Sequence, residues 1–349
     1  MKMAPCRCFG LAAMLVFMSW SLRAQFGSLS SGLINPSGIH YSHKNGKLYV
    51  VDPEHEGIAI VATNGTVKSL RTGLGPVSIA VNEQTGRVYV ANSGDRSIAV
   101  IDGSTDTVIA MGSTAAKPYA IAVDEVNDKV YVSNTFSDQL TVMDGKTNAI
   151  RNVEAGSADA IFVDARRSKV YLLGYESDSV RVLDEQTGSL SKLPTGAMHV
   201  WAIVQLGSVL YVTHVQDASM EAINVETHVT QTIATGAMPC ALAVDADHNE
   251  LYVANYAGSS ISIVDARAGT TVATVIVGGH PQAIAVDTER RLLYVADAQD
   301  NSVSIVDVKR RRVFRKLKIN GRPYALSVDS RTHRVFAATA GSTPYKELE

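Results

Sequence analysis

Residues 281–319 carry four apolar segments: Pro281-Gln-Ala-Ile-Ala-Val-Asp287, Leu292-Leu-Tyr-Val-Ala-Asp297, Ser302-Val-Ser-Ile-Val-Asp307 and Val313-Phe-Arg-Lys-Leu-Lys-Ile319. Each is short and rich in β-branched residues. Each is followed by Asp, Asn, Gly or charged residues, which favour turns. The segments therefore read as four strands, a to d. Strand a sets small residues (Ala283, Ala285) against large ones (Ile284, Val286).

The same unit recurs along the chain. The aromatic of strand b returns at Tyr49, Tyr89, Tyr131, Tyr171, Tyr211, Tyr252, Tyr294 and Phe336, at spacings of 40 to 42 residues. Four strands in such a period are the pattern of β-propeller blades, whose crowded inner strand suits small residues. A helical solenoid needs apolar spacing near 3.6 residues, and a parallel β-helix has a shorter period. The expected fold is all-β, a propeller of four-stranded antiparallel blades. Eight inner strands predict eight blades. Seven is the alternative, should the C-terminal copy lie outside the ring.

That last copy has strand a (Tyr324 to Val328) and strand b (Arg334 to Thr339), with Pro344 to Glu349 where strand c belongs. No strand d follows. Gly27-Ser-Leu-Ser-Ser-Gly-Leu-Ile-Asn-Pro36 parallels Lys68-Ser-Leu-Arg-Thr-Gly-Leu-Gly-Pro76, which ends the first blade. The N-terminal segment is thus expected to supply the outer strand of the last blade and to close the ring.

Tyr-Val-Ala-Asn stands at 89–92 and 252–255, Tyr-Val-Ser-Asn at 131–134 and Tyr-Val-Ala-Asp at 294–297, each in register with the repeat. Together with Gly-x-Pro-x-x-Ile-Ala-Val-Asp and Ser-Ile-x-Ile-Asp, this resembles the YVTN-repeat family of β-propellers over nearly the whole chain. The resemblance implies an exported or cell-surface protein of bacteria or archaea. Many such relatives have no assigned activity, and a few related periplasmic propellers bind nucleic acid. The family has no universal catalytic set, so no residue role carries over. Blade five departs most, with Tyr-Val-Thr-His214, and blade four has Tyr-Leu-Leu-Gly174.

Residues 1–24 have the pattern of a secretory signal. Lys2 and Arg7 precede a mostly apolar run from Phe9 to Leu22, and Ala24 offers a small residue before a cut. The run is too short for a spanning helix, which needs about 20 residues. The expected organisation is a signal peptide at 1–24 and one propeller domain at 25–349, periplasmic or extracellular and monomeric. Cys6 and Cys8 leave with the signal. Cys240 then stands alone, which excludes an internal disulfide or a CxxC metal site. Without Lys2, Arg7 and Arg23 the chain holds 29 basic against 34 acidic residues, so no global charge draws it to nucleic acid or anionic lipid.

Because strands alternate in direction, the d–a and b–c loops share one face, called here the top. Just before strand a stand Asn35, Gly75, Lys117, Ser157, His199, Met238, His280 and Arg322. Two positions later come Ser37, Val77, Tyr119, Asp159, Trp201, Cys240, Gln282 and Tyr324. These columns vary while the rest repeats, as recognition positions do. The expected site is a shallow top-face ring of Lys117, Tyr119, Asp159, His199, Trp201, His214, His280, Gln282, Arg322 and Tyr324. Its aromatics would stack, and Lys117 and Arg322 would meet an anionic group.

Other motifs read as structure. The histidines lack close ligand spacing, so neither a metal nor a cofactor is expected. Asp245-Ala-Asp247-His-Asn249 lacks the glycine and the final carboxylate of a calcium loop. The run from Lys309 to Lys318 sits on an outer strand, where basic residues discourage edge pairing. Aspartates repeated after strands a and c suit hairpin turns. No GxSxG, HExxH or P-loop motif occurs. The chain is thus expected to be a binding scaffold for a partner protein, a glycan or a small anionic ligand. A lactonase- or lyase-type enzyme is one alternative. A single-stranded nucleic-acid binder, stacking bases on Tyr119, Trp201 and Tyr324, is the other.

Overall fold

The computed structural model describes residues 38–340 and 344–348. Eight antiparallel sheets follow one another along the chain, each with its strands in sequence order. Among the described residues, seven have four strands and the last has three. The blades span 39–71, 76–113, 117–154, 160–194, 200–234, 239–276, 281–318 and 322–347. Tyr345–Glu347 pairs with strand b of blade eight, where strand c was expected. The expected outer strand at 27–36 and the expected signal at 1–24 lie outside the described residues.

Blade eight belongs to the ring. Its Ala325, Phe336 and Ala338 share one apolar cluster with Ile39, Leu48, Val50, Ala59 and Val61 of blade one. Tyr41 stacks on Phe336 at 5.8 Å, and its backbone N–H donates to Ser327 Oγ at 3.1 Å. The seam thus closes through apolar burial, as at every other blade boundary.

The recurring tyrosine makes those boundaries. Tyr49, Tyr89, Tyr252 and Tyr294 are fully buried. The hydroxyl of Tyr211 donates to the Ala266 carbonyl at 3.4 Å, in the c–d turn of the next blade. A residue of this kind supplies a large apolar area and one polar tip that needs a partner. The repeated aspartates cap hairpins as expected. Asp144 Oδ1 accepts the N–H groups of Lys146 at 3.0 Å and Thr147 at 2.8 Å. Asp245 accepts from His248 N–H and pairs with Arg291, so its loop is an ordinary a–b turn.

The last residue of strand b forms a second repeated device. Asn255 Oδ1 accepts the Gly236 N–H of the incoming d–a loop at 3.0 Å, while its amide donates to Ser260 and Ser262 of strand c. Asn92, Asn134 and Asp297 occupy the same place. Blades four and five, which depart from the repeat here, compensate. In blade four, glycine at 174 leaves room for Arg181 of strand c, whose guanidinium donates to the Ser157 carbonyl. In blade five, Glu221 of strand c accepts the Gly196 N–H, and His214 fills the space beside it, 4.0 Å from the carboxylate.

Asp297 is the one member of this set whose ionisation is costly. It is wholly buried, and burial raises its carboxyl to about 6, against the pull of Ser304, Lys316, the Gly278 N–H and Ser302. A raised folded value favours the protonated form. The resulting stability is complete below the ordinary carboxyl range near 4 and is lost as pH rises through about 6. Asp297→Asn should therefore stabilise the protein at pH 7.5 by about 1–3 kcal/mol, since two units correspond to at most about 3 kcal/mol. Denaturant unfolding at pH 4, 5, 6 and 7.5 checks this. The variant should lose part of the wild-type decline across that window, and parallel curves would contradict the assignment.

Candidate binding faces

The top face is assembled from the d–a and b–c loops, but half of the expected ring turns away from it. In blades two, three, five, six, seven and eight, strand a carries an extra residue against strand b just inside its proline or valine. Such a β-bulge re-aims the side chain it holds. Here it turns the second column into the seam with the next blade. Cys240 Sγ lies 3.3 Å from the Pro281 carbonyl, and Gln282 Nε2 donates to the Pro323 carbonyl at 2.8 Å. The Tyr324 ring lies against Gly38, where a Cβ would come within 2.6 Å of it. Burial, helped by Asp52, pushes its hydroxyl up to about 12.

Trp201 is 7% exposed and packs in the apolar cluster that joins blades five, six and seven. It meets Tyr175 edge-on at 5.8 Å. Tyr119 packs between blades three and four. These placements correct the expected open ring of stacking aromatics. Trp201 and Tyr324 offer no free ring face to a base, and Gln282 is a seam residue. His214 is also corrected. It is buried beneath the loops, and burial lowers its imidazole below the usual range despite Glu221 and Asp217.

The first column stays on the face. Lys117 is exposed, and His199, His280 and Arg322 are half-buried; Asp159 of the second column, in a blade whose strands a and b pair without a shift, is half-buried too. Asp159 Oδ2 accepts the Tyr175 N–H at 2.8 Å, so it orders the b–c loop of its own blade. Arg322 donates to Gln282 Oε1 at 3.1 Å. The imidazoles form two couplets with residues that follow strand b. His280 stacks on Tyr256 at 4.3 Å, and His199 meets Tyr175 at 4.9 Å. Phe136, His199, Met238 and His280 all adopt left-handed backbone, with φ of 58°, 62°, 55° and 56°. Three apolar side chains of these loops stand in water: Phe136 is 75% exposed, Met198 48% and Leu74 45%.

Met198 and Leu74 were not expected here, and Phe136, which stands directly beyond strand b on this face in the sequence, was not counted in the expected ring. A second opening was also missed. The channel holds a cavity of about 480 Å³ that opens among the a–b hairpins, with His40, His43, Glu83 and Glu125 at its rim. The signal was a third variable column, the residue after the repeated Asp or Asn, which reads Glu83, Glu125, Ala165, Ala246, Thr288 and Ser330. Among the described residues, no three His, Cys, Asp or Glu side chains converge to hold a metal. No described helix is long and apolar enough to cross a membrane. The basic run grips its own blade and its neighbour, through Arg310 on Asp307, Lys316 on Asp300 and Arg311 on the Val272 carbonyl.

Comparison with known proteins gives the architecture a wider setting. The family model "Lactonase, 7-bladed beta-propeller" matches residues 176–276, under a third of the chain. The fold is similar to that of a dihydro-heme d1 dehydrogenase, NirN, solved in complex with DHE. The TM-score is 0.73 at 11% identity, covering 86% of this chain and 70% of that one. It is also similar to U3-55K, with a TM-score of 0.62 at 10% identity over 78% of this chain and 90% of that one. The WD40 repeats of RRP9 give 0.61 at 10% identity, over 78% and 88%. At such identities the likeness shows the fold alone. No curated protein matches the chain. The chain is a β-propeller.

Trp201 gives a direct check of the bulge geometry. In protein lacking residues 1–24, which contain the other tryptophan, emission should be blue-shifted and poorly quenched by acrylamide. Quenching as efficient as that of free tryptophan would place Trp201 on the open face instead.

Proposed function

We propose that this chain is an exported, non-catalytic binding propeller of the YVTN-repeat kind, and that its top face engages a partner protein. The observation that carries the reading is the exposure of Phe136, Met198 and Leu74 on the loops that also present Lys117, His199 and His280. A large apolar side chain in water is a cost that a partner removes, and aromatic or Met anchors beside a polar rim are usual in protein interfaces. Phe136 adds a left-handed backbone, which a bulky residue adopts only at some expense. These side chains are spread over blades two, three and five, which suits a broad partner better than a small anion.

The lactonase-family match supports the enzymatic alternative over one stretch of the chain. Hydrolysis of simple γ- and δ-lactones, with and without added divalent cations, tests it. Turnover lost in Asp159→Ala would favour it over the binding reading.

Glycine suits a left-handed backbone, so it allows a test that spares the fold. The triple variant Phe136→Gly, His199→Gly and His280→Gly should stay folded and cooperative, because relief of the left-handed backbone offsets the lost contacts to Tyr256 and Tyr175. It should lose the partner that crosslinking to the wild-type protein identifies, by at least about tenfold in Kd, or ~1.4 kcal/mol. Replacing Lys309, Arg310, Arg311 and Arg312 with Ser should leave that affinity unchanged. The reverse pattern would move the interface to the outer rim of blade seven.

A further inference from the structure

We propose that the central channel is a separate binding site, entered from the a–b hairpin face, for a small molecule with a compact apolar body and one amine head. The site is independent of the partner surface on the opposite face. Its cavity of about 480 Å³ is of ligand size, since such pockets run from about 300 to 1,000 Å³. Strands a of seven blades wall it, all except blade five. Ala80, Ala122, Val123, Phe162, Val244 and Val286 make the shaft apolar. Such walls hydrate poorly, so an apolar body gains by leaving water for them. Each strand a pairs only with its own strand b, which leaves the backbone groups of its inner edge, carbonyls and N–H alike, toward the channel.

The rim gives the head its sign. Glu83 and Glu125 come from neighbouring blades and stand together, with the Glu83 N–H donating to Glu125 Oε1 at 3.2 Å. Burial pushes the Glu83 carboxyl up, but His40, the Lys44 N–H and Ser42 more than offset it and hold the group below its ordinary range. Its other close contacts are His40 Nε2 at 3.4 Å and the Lys44 N–H at 2.8 Å. His43 faces Asp329 at 3.3 Å, and Arg331 donates to the His43 carbonyl at 2.9 Å. No lysine or arginine is among the described residues that line the cavity. An apolar shaft below two adjacent carboxylates fits an alkylammonium group and disfavours a carboxylate.

Isothermal titration of the purified chain at pH 7.5 tests this with three probes of one shape: hexylamine, hexanol and hexanoate. Hexylamine should bind at least about tenfold more tightly than hexanoate, the least that one charge-assisted hydrogen bond gives. Glu83→Gln should weaken hexylamine by about the same factor and leave hexanol unchanged. Ala122→Trp should abolish binding of all three by filling the shaft. Should that variant fail to fold by circular dichroism, the Glu83→Gln comparison decides alone. Absence of heat with every probe, equal or tighter binding of hexanoate, or indifference of hexylamine to Glu83→Gln would each overturn the proposal. The triple glycine variant of the top face should keep its amine affinity, so failure here is distinct from failure of the partner-binding reading.

Discussion

A four-stranded sheet of six-residue strands cannot stand alone with two apolar faces in water. Everything else in this chain follows from giving each sheet a neighbour on both sides. The fully buried tyrosine of strand b and the alternation of small and large residues in strand a are the chemical form of that requirement. A row of such sheets would expose one apolar face at each end. Curving the row until blade eight meets blade one removes both. The Phe336 and Tyr41 stack shows that this last seam uses the same means as the others.

The ring also divides the labour between its two faces. On the d–a and b–c side, a bulge in six of the blades spends the second variable residue of the loop on the seam. Only the first remains to face outward. A polar residue at the end of strand b, or Arg181 and Glu221 of strand c in blades four and five, then ties the loop down, so the outward side chains stand on a fixed base. On the a–b side, the turns are held by their own aspartates, and the residue that follows is free to vary. Glu83 and Glu125 at the channel mouth arise in this way. One repeat thus yields two addressable surfaces without disturbing the buried part of any blade.

The blade unit, its count and its turn chemistry were legible in the sequence because they depend on local alternation and on a period that eight copies repeat. The orientation of Trp201, Gln282 and Tyr324 was not. A bulge is a mismatch between two paired strands, and neither strand shows it alone. His214 misled because its compensation, Glu221, lies seven residues on and has meaning only once strands b and c are side by side. Lys117, His199, His280 and Arg322 stay on the face because they precede the bulge. That Phe136 lies on this face was legible from its place beyond strand b, but its exposure was not, since exposure cannot be read from residue type.

Native-state hydrogen exchange of the strand b amides tests the closed ring most directly. Each sheet is held by its neighbours, so the slowest amides of all eight blades, blade one and blade eight included, should share one opening free energy. An open array loosens from its ends, as linear repeat proteins do. Protection that falls progressively toward blades one and eight would contradict closure, and with it the account of how this sequence folds.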